Sequence, residues 1–425
     1  MTLFYADLHL HSKYSRAVSP RMDLEHLAEG AVKKGLGLLG TSDFTHPLWF
    51  SELRKKLESE GNGFFRLKGS PAPVRFILQT EVSTIFSDRG NVKKVHHLVY
   101  SPSLEIVQQL NDRLEKKGNL LADGRPVFGK TTGAELVEIC KEISPEMEII
   151  PAHAWTPWFS ILGSNSGYDS IAEGYGDQAS HIRAFETGMS SDPAMNWRVS
   201  SLDAYAQISN SDSHSPYPYR IGRECNAFEF PENQSTYRNV FRAIYSKDAN
   251  HFKYTVETDP HYGKYHYDGH RNCSFSSTPQ ESAKLNDKCP KCGRSLVIGV
   301  WHRVEALADR EPGFVPPKAI PFKTLLPLQE LVSSCFRSAL PSPRVFEETE
   351  RLIRVFSNEL RVLLEVPEAD LKKETHAQLA QAILANRNGS LKVKAGYDGL
   401  YGVLELSESL QLEKTRGQKR LKEYD

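Results

Sequence analysis

The chain has 425 residues, which is enough for one large domain and one or two smaller ones. Its 53 basic residues balance its 53 acidic residues, so no global charge indicates a nucleic-acid or membrane partner, and any such surface must be local. The first residues become polar too early for a signal peptide, and no apolar run approaches membrane-spanning length. Six cysteines do not form a disulfide framework in a chain this long, so we expect a cytoplasmic protein without a membrane partner.

Seven short apolar runs alternate with helix-like segments across residues 1–235. In segments such as Met22–Lys34 and Thr132–Glu142, apolar residues recur at three and four positions, which is the period of a helix. Seven strands alternating with helices predict an α/β fold, here a distorted barrel. Residues 83–94 are polar and too short for a helical crossover, so strands three and four are expected to form a hairpin or an irregular pair. The runs are Leu3–Leu8, Leu36–Thr41, Val74–Val82, Val95–Tyr100, Met147–Ala152, Arg183–Thr187 and Ala206–Ser211.

Imidazole and carboxylate side chains end or follow these runs. His9 and His11 occupy alternate positions, so both project from the same face of a strand. Such side chains are ligands for divalent cations, and barrels of this type place their chemistry at the carboxyl ends of the strands. The sequence therefore predicts a metal cluster assembled from distant segments. The candidate ligands are His9, His11, Asp43, His46, Glu81, His96, His97, His153, Asp212 and His214.

Four carboxylates are candidates for a catalytic role: Asp7, Glu186, Asp192 and Asp212. Glu186 is interpreted either as a ligand or as a carboxylate that orients one. Asp192 is followed by Pro193, so a helix cap is an equally simple interpretation of that residue.

A second metal site is predicted from Cys289-Pro-Lys-Cys292-Gly293, a turn that lets two thiolates bind one ion. His270 and Cys273 have the same spacing and complete the set, with His266 as an alternative fourth ligand. A closed set of three cysteines and one histidine leaves no open position, so we expect structural zinc. We assign the module to residues 236–315.

Two further segments are open to more than one interpretation. Residues 316–425 are expected to be mainly helical, with one long amphipathic helix over Ser342–Leu364. The basic tail Glu413–Lys422 is either a phosphate contact or a solvated helix.

The segment Gly124-Arg-Pro-Val-Phe-Gly-Lys-Thr131 matches the phosphate-loop pattern. That loop needs a buried strand before it and small residues that provide a ring of backbone donors. Here the preceding residues make a weak strand, Pro126 lacks a donor, and Phe128 is bulky. We interpret the segment as a loop before a helix that starts near Thr132.

The motifs Asp7-Leu-His-Leu-His-Ser12 and Ser211-Asp-Ser-His214 resemble those of the PHP (polymerase and histidinol phosphatase) domain. This resemblance implies a distorted seven-stranded barrel that holds two or three divalent ions (zinc, manganese or magnesium) and hydrolyses phosphate esters. The family's second motif is less regular here, because Asp43 is separated from His46. A further family histidine is replaced in the region of Ser15 to Ala17. The His-Leu context favours His97 as a ligand, and His96 stays open.

The order of this domain, then Tyr265–Cys273, then the cysteine pair resembles the endonuclease Q family, as do Pro151–Phe159 and Glu186–Arg198. This resemblance implies a DNA repair nuclease that cuts 5′ of deaminated bases (uracil, hypoxanthine, xanthine) or abasic sites, in double- or single-stranded DNA, leaving 3′-hydroxyl and 5′-phosphate ends. A damaged base must leave the stack to be recognised. The candidate DNA contacts, for each of which packing is the alternative, are Trp155, Trp158, Phe159, Tyr168, Tyr265, Tyr267 and Arg271.

Two other functions stay open at this point. A small-molecule phosphoesterase of the histidinol-phosphatase kind would use the same barrel but would not need the long extension after it. A non-catalytic nucleic-acid-binding scaffold would have lost ligands, whereas nearly every ligand position here holds a competent side chain.

Overall fold

The structure is a computed structural model with mixed α/β architecture, and it describes residues 1–412. The basic tail Glu413–Lys422 lies outside the described residues. The strands are β1 (Thr2–Asp7), β2 (Leu36–Gly40), β3 (Leu57–Ser59), β4 (Phe65–Leu67), β5 (Arg75–Asp88), β6 (Asn91–Ser101), β7 (Val127–Gly129), β8 (Glu148–Pro151), β9 (Ala184–Glu186), β10 (Ala206–Ile208), β11 (Cys225–Phe230), β12 (Phe252–Glu257), β13 (Asp268–His270), β14 (Phe275–Ser277), β15 (Phe322–Thr324), β16 (Lys392–Lys394) and β17 (Val403–Glu405).

The helices connect and cover the strands, and all belong to residues 1–412. None of them combines the length and apolar character that crossing a bilayer requires. They are α1 (Leu24–Lys34), α2 (Pro47–Lys56), α3 (Leu104–Leu114), α4 (Gly133–Ile143), α5 (Ile171–Tyr175), α6 (Pro193–Asn196), α7 (Tyr237–Ser246), α8 (Pro279–Lys284), α9 (Val300–Leu307), α10 (Leu328–Phe336), α11 (Pro343–Phe356), α12 (Glu359–Leu364), α13 (Glu368–Glu374) and α14 (Ala377–Arg387).

The seven predicted strands are confirmed as β1, β2, β5, β6, β8, β9 and β10. Parallel ladders join β1, β2 and β5, and antiparallel ladders join β5, β6 and β8. β9 pairs with β10 in parallel. The five-strand group (β1, β2, β5, β6 and β8) meets the β9–β10 pair just past the strand ends. There Ala154 N donates to Glu186 O (2.9 Å), and Leu10 forms an isolated β-bridge with Ser213.

Both faces of these strands are buried. Neighbouring residues such as Ile149 and Ile150 enter different apolar clusters, as the two-residue period of a strand requires. One of these two apolar clusters contains at least one side chain from each of the seven strands. Leu8 and Ala152, which directly follow β1 and β8, also belong to it. These inner side chains are Ala6, Leu8, Leu38, Ile77, Leu98, Tyr100, Ile150, Ala152, Ala184, Ala206 and Ile208.

The hairpin expected for residues 83–94 is confirmed. β6 pairs with β5 along its whole length, from Ser101 opposite Leu78 to Asn91 opposite Asp88. The two residues of the turn, Arg89 and Gly90, take φ of 48° and 82°. Tight turns with two positive φ angles match the twist of a hairpin, so β6 needs no crossover helix.

Three later strands extend the sheet on the other side of β1. β11 and β12 add antiparallel strands, and β15 adds a parallel one. Since β12 follows residue 235 and β15 follows residue 315, one sheet crosses both of the expected domain boundaries.

The C-terminal region is mainly helical over α10–α14, as expected. The prediction of one helix over Ser342–Leu364 is wrong, because α11 ends at Phe356 and Ser357 takes a φ of 81°. Asn358 then starts α12 by accepting a hydrogen bond from Arg361 N (2.8 Å). A polar N-cap residue gives the second helix its own start.

Candidate metal centre and active-site cavity

The candidate ligands gather beyond the carboxyl ends of the strands, where the backbone leaves regular geometry. Asp43, His153 and Asp212 lie just after β2, β8 and β10 and take φ of 30°, 28° and 46°. Such angles are costly for residues that carry a side chain, and they cluster at functional sites. The strained turns therefore mark the end of the strands at which the candidate site lies.

His9, His11 and Asp212 form the first ligand group, with one potential ligand atom of each within 4.8 Å of the others. Asp212 Oδ1 lies 3.6 Å from His9 Nε2 and 3.1 Å from His11 Nε2. These three atoms are buried and have no hydrogen-bond partner in residues 1–412. Buried polar atoms without partners are costly, and one divalent cation would satisfy all three. The donor set therefore fits a metal ion.

Glu81, His96 and His153 form the second ligand group. Glu81 Oε1 lies 2.8 Å from His96 Nδ1 and 3.1 Å from His153 Nε2. The other oxygen, Oε2, lies 3.3 Å from His11 Nε2 in the first group. A carboxylate that reaches both groups is suited to bridge two metal ions.

Two further carboxylates hold the histidines of the first group. His9 Nδ1 donates to Glu186 Oε1 (3.0 Å), and His11 Nδ1 donates to Asp43 Oδ1 (3.1 Å). These bonds orient the rings and leave each Nε2 for a metal. Asp43 Oδ2 accepts from Ser12 N (2.6 Å), so both oxygens of Asp43 are engaged. The structure places Asp43 behind His11 and Glu186 behind His9, both outside the two ligand groups.

The charges of the site suit a cation. Burial alone would lower the pKa of His9, but Glu186 and Asp212 raise it well above its usual range. Burial alone would raise the pKa of Asp212, but His9 and the other imidazoles keep it well below its usual range. Burial lowers the pKa of His96 to about 4, so this ring is neutral and its lone pair is free to bind.

His97, which the sequence favours as a ligand, has another role in the structure. Its Nε2 lies 2.9 Å from Thr84 Oγ1, and its Nδ1 lies 2.7 Å from the Tyr175 hydroxyl. Both ring nitrogens are therefore engaged in the buried core. Adjacent residues of a strand point to opposite faces, so only His96 reaches the ligand groups.

His46 and Asp192 also lie outside the ligand groups. His46 immediately precedes α2, and its ring stacks on Tyr14 with 4.4 Å between centroids. Asp192 caps α6 by accepting from Met195 N (2.8 Å), which is the helix-cap interpretation of the sequence. Burial raises the pKa of Asp192 to about 6.

Asp7 and His214 lie beside the first group. Asp7 accepts a hydrogen bond from Ser211 N (3.1 Å) and so ties β1 to the turn after β10. Burial raises the pKa of Asp7 to about 6. His214 lines the adjoining cavity and packs against His11 with 4.8 Å between ring centroids and an interplanar angle of 53°.

Arg125 is a site residue that the sequence reasoning missed. Its Nη1 donates to Glu81 Oε2 (3.0 Å) from within the segment that matches the phosphate-loop pattern. A Cβ added to Gly124 would lie 2.4 Å from Asp43 Oδ2, so a glycine is needed there. The helix after the segment begins at Gly133 with Thr132 as its cap, as predicted. The segment is not a loop throughout, because Val127–Gly129 forms β7 and pairs with β5.

A cavity of about 570 Å³ opens beside the ligand groups. Three of the aromatic candidates, Trp158, Phe159 and Tyr265, line its wall. Phe159 takes a φ of 62° and packs on His96 with 4.8 Å between ring centroids. Two lining residues had no motif that could have identified them in the sequence: Arg223 and Tyr401. Lys264, which also lines the cavity, lies among the aromatic and basic residues of His261–Tyr267.

The other four candidates for DNA contact lie outside this cavity: Trp155, Tyr168, Tyr267 and Arg271. Trp155 is buried, and its Nε1 donates to Asn196 Oδ1 (2.6 Å). Tyr168 is buried beneath Lys93, whose Nζ lies 4.1 Å from the ring centroid. For these two residues the contacts agree with the packing alternative.

The cysteine-rich module brings its four predicted ligands together: His270, Cys273, Cys289 and Cys292 each offer an atom within 4.8 Å of the others. Cys292 Sγ lies 3.4 Å from His270 Nδ1. The alternative ligand His266 is buried elsewhere and donates through Nδ1 to Ser190 O (3.2 Å). Three thiols and one imidazole at this separation fit a tetrahedral ion such as zinc.

Comparison with known proteins connects these features to a family. The family model described as the MJ0043 C-terminal domain matches residues 327–390. The protein MJ0043 of Methanocaldococcus jannaschii is 32% identical over 256 residues, which are 59% of this chain. The chain spans only 31% of the length of that relative.

The crystal structure of PfuEndoQ, a lesion-specific endonuclease of Pyrococcus furiosus, matches with a TM-score of 0.84. The sequences are 34% identical, and the match covers 96% of each chain. The chain belongs to the endonuclease Q family. A second endonuclease Q structure, in complex with a 27-mer duplex substrate with an abasic lesion at the active site, matches with a TM-score of 0.85. It is 33% identical and covers 98% of this chain and 99% of its own.

The endonuclease Q match is not confined to the metal-ligand segments. Because it covers nearly the whole chain, the cysteine-rich module and the C-terminal helices belong to the shared architecture. The resemblance in the motifs of the sequence is thereby confirmed.

Proposed function

We propose that the chain is a metal-dependent DNA repair endonuclease. It cuts the phosphodiester 5′ of a deaminated base (uracil, hypoxanthine or xanthine) or an abasic site and leaves 3′-hydroxyl and 5′-phosphate ends. The observation that carries the proposal is the convergence of two largely buried ligand groups on Glu81 beside an open cavity. The endonuclease Q structure with an abasic duplex at its active site supports DNA as the substrate.

The two groups and the adjacent His214 would hold two or three divalent ions, zinc, manganese or magnesium. When bound, such ions lower the pKa of water towards neutrality and neutralise charge on the phosphate and on the leaving oxygen. Glu186 and Asp43 would keep the rings of His9 and His11 turned towards the ions.

Arg125 would position the scissile phosphate. Its guanidinium donates to Glu81 at the junction of the two ligand groups. Because a guanidinium presents several donors in one plane, it can hold Glu81 and a phosphate oxygen at the same time.

The cavity would receive the damaged nucleotide after it leaves the stack. Trp158 and Tyr265 meet edge to face at its wall with 6.1 Å between ring centroids, and Phe159 packs against His96 beside the ligand group. Aromatic walls stack on bases of any sequence, and a mispaired or missing base costs less to extrude.

The fold that supports this site would be a distorted seven-stranded barrel, supported by the side chains that all seven strands place in one inner cluster. We assign residues 1–235 to this domain, 236–315 to a module held by structural zinc at His270, Cys273, Cys289 and Cys292, and 316–425 to the helical region. The shared sheet would hold the three parts together.

The proposal is tested with end-labelled duplexes that carry one deoxyuridine, one deoxyinosine, one abasic site or no lesion, in Mg²⁺ or Mn²⁺. A single cut 5′ of the lesion is expected, and Asp212→Ala should abolish it because this variant removes a central ligand. The matched control Asp177→Ala changes an exposed aspartate outside the cavity and should cut like the wild type.

An aryl phosphate is assayed in parallel. Rapid aryl-phosphate hydrolysis with intact duplexes would replace the proposal by a small-molecule phosphoesterase. If the metal-loaded protein acts on neither substrate, a binding scaffold is the better description.

A further inference from the structure

Three cations gather around one phenol at the side of the active-site cavity. Lys264 Nζ lies 4.6 Å from the Tyr401 ring centroid, and Arg220 Cζ lies 5.6 Å from it. Burial alone would raise the pKa of Tyr401, but Arg223, Lys264 and Arg220 lower it below its ordinary value of 10. The positive field at this point is therefore strong.

From Tyr401 an aromatic and cationic path leads to the surface. The Arg220 guanidinium lies 5.2 Å from the Tyr219 ring centroid, and Tyr219 stacks on Tyr217 at 5.9 Å with an interplanar angle of 11°. Tyr217 is 38% exposed. Arg21, which is exposed, lies 5.7 Å from the Tyr217 ring and donates to its hydroxyl (3.3 Å).

The cations of this path form no ion pair with a carboxylate in the part of the chain that the structure describes. They are Arg21, Arg220 and Lys264, and Arg223 beside Tyr401 is likewise without such a pair. Unpaired cations next to one another repel, and an anionic ligand relieves that repulsion.

The C-terminal region holds Tyr401, the inner end of the path, in place. Residues 396–402 bond to residues 261–267 through the backbone, with Gly396 N donating to His261 O (2.8 Å) and Gly402 N donating to Tyr262 O (3.0 Å). A Cβ added to Gly402 would lie 2.2 Å from His261 O. Only glycine allows this approach, which holds Tyr401 at the cavity.

We propose that this path, the strand track of Lys264, Tyr401, Arg220, Tyr219, Tyr217 and Arg21, binds the DNA strand that leaves the cavity. The backbone phosphates lie on the cations, and unpaired bases next to the lesion stack on Tyr219 and Tyr217. Interleaved cations and aromatic faces are the surface that binds single strands without reading their sequence. The assignment of DNA as the ligand rests on the proposed function.

The first test measures binding of a lesion-free single-stranded oligonucleotide, which does not depend on cleavage. Tyr217→Ala and Arg21→Gln change exposed side chains, so both variants should fold. We expect Tyr217→Ala to weaken binding by about five- to a hundredfold, the usual loss for one stacked base. Arg21→Gln and Lys264→Gln should each lower the slope of log Kd against log salt by about one. Lys323→Gln is the control, because Lys323 makes the same kind of cation–aromatic contact outside the cavity, with its Nζ 4.3 Å from the Tyr254 ring centroid.

The second test places one neutral methylphosphonate at each position around the lesion of a duplex. At the phosphate that contacts Lys264, the methylphosphonate should weaken binding to the wild type. The same substitution should have little further effect on Lys264→Gln, because this variant has already lost the cation that the phosphate contacts. Variants that bind both DNA forms like the wild type would overturn the strand track. If the wild type does not cut lesion duplexes, the proposed function fails, while the single-strand measurement still decides on the track.

Discussion

Glu81 is the side chain on which the two ligand groups meet. Its Oε1 faces His96 and His153, and its Oε2 faces His11 and Arg125. No other carboxylate in residues 1–412 belongs to one of these two ligand groups and also contacts the other, so the spacing of the two groups depends on this residue. Glu81 lies in β5, whose residues Phe76–Thr84 are all buried, so a displacement of this strand would separate the two groups.

The two adjacent histidines of β6 provide a test of this arrangement. His96→Ala removes a ligand, so the metal content at saturation should fall by about one ion per chain relative to the wild type. His97→Gln should keep the full metal content and lower the stability instead, because the buried bonds to Thr84 and Tyr175 change. Metal is measured by mass spectrometry after gel filtration. A loss of metal in His97→Gln with full content in His96→Ala would contradict the assignment.

The sequence could identify the kinds of ligand but not all of their positions. The strand period predicted that His9 and His11 face the same way, although β1 ends at Asp7 and of the residues between them only Leu10 continues the pairing, as a bridge to Ser213. For His96 and His97, the same period says that only one of them faces the site, and the register that chooses between them is set by pairing with β5. Arg125 and Tyr401 come from loops, where no period exists to indicate direction. Asp43 has the right chemistry for a ligand, and only its contact with His11 shows the orienting role.

Among the elements, the strands could be predicted because their apolar runs are continuous, which is typical of strands buried on both faces. The hairpin of β5 and β6 followed from the polar character of residues 83–94. The break between α11 and α12 could not be predicted from periodicity, because apolar residues continue in helical phase through it. The decisive feature is local, since Asn358 caps the second helix.

The contact between α1 and α12 contains a buried ion pair that can be tested. Lys34 is 1% exposed, and its Nζ lies 2.8 Å from Glu359 Oε1. Lys34→Met should lower the free energy of unfolding by about 3–5 kcal/mol, because it leaves the Glu359 charge buried without its partner. The double variant Lys34→Met/Glu359→Met should recover most of that loss. Urea denaturation measures both.

The neighbouring Lys33 is the matched control, since its contact with Glu350 (2.7 Å) is partly exposed. Lys33→Met should cost at most about 1 kcal/mol. Equal losses of unfolding free energy in Lys33→Met and Lys34→Met would contradict the prediction that burial makes the Lys34–Glu359 pair more important for stability.

At the scale of the whole molecule, the site is assembled from the entire described chain, from His9 near the start to Tyr401 near the end. The sheet that carries β1 continues through β11 and β12, and these two strands bring a second set of carboxylates together. Glu224 and Glu257 are both fully buried. Glu257 accepts hydrogen bonds from the hydroxyls of Thr187 (2.9 Å) and Ser209 (3.0 Å), whereas Glu224 Oε2 has no partner in residues 1–412.

This buried pair makes the stability of the protein depend on pH. Burial raises the pKa of Glu257 from 4.5 to about 7, and burial and the Glu257 charge raise that of Glu224. Between pH 4.5 and about 7, Glu257 keeps a proton in the folded protein and releases it in the unfolded chain. The free energy of unfolding therefore falls as pH rises through this range. Residue 257 cannot titrate in Glu257→Gln, so between pH 5 and 8 the free energy of unfolding of this variant should fall by about 2.5 kcal/mol less than that of the wild type. Urea denaturation of metal-free protein measures the difference. The partly exposed Glu229 is the control, and Glu229→Gln should follow the wild-type curve; parallel curves for Glu257→Gln and the wild type would refute the linkage.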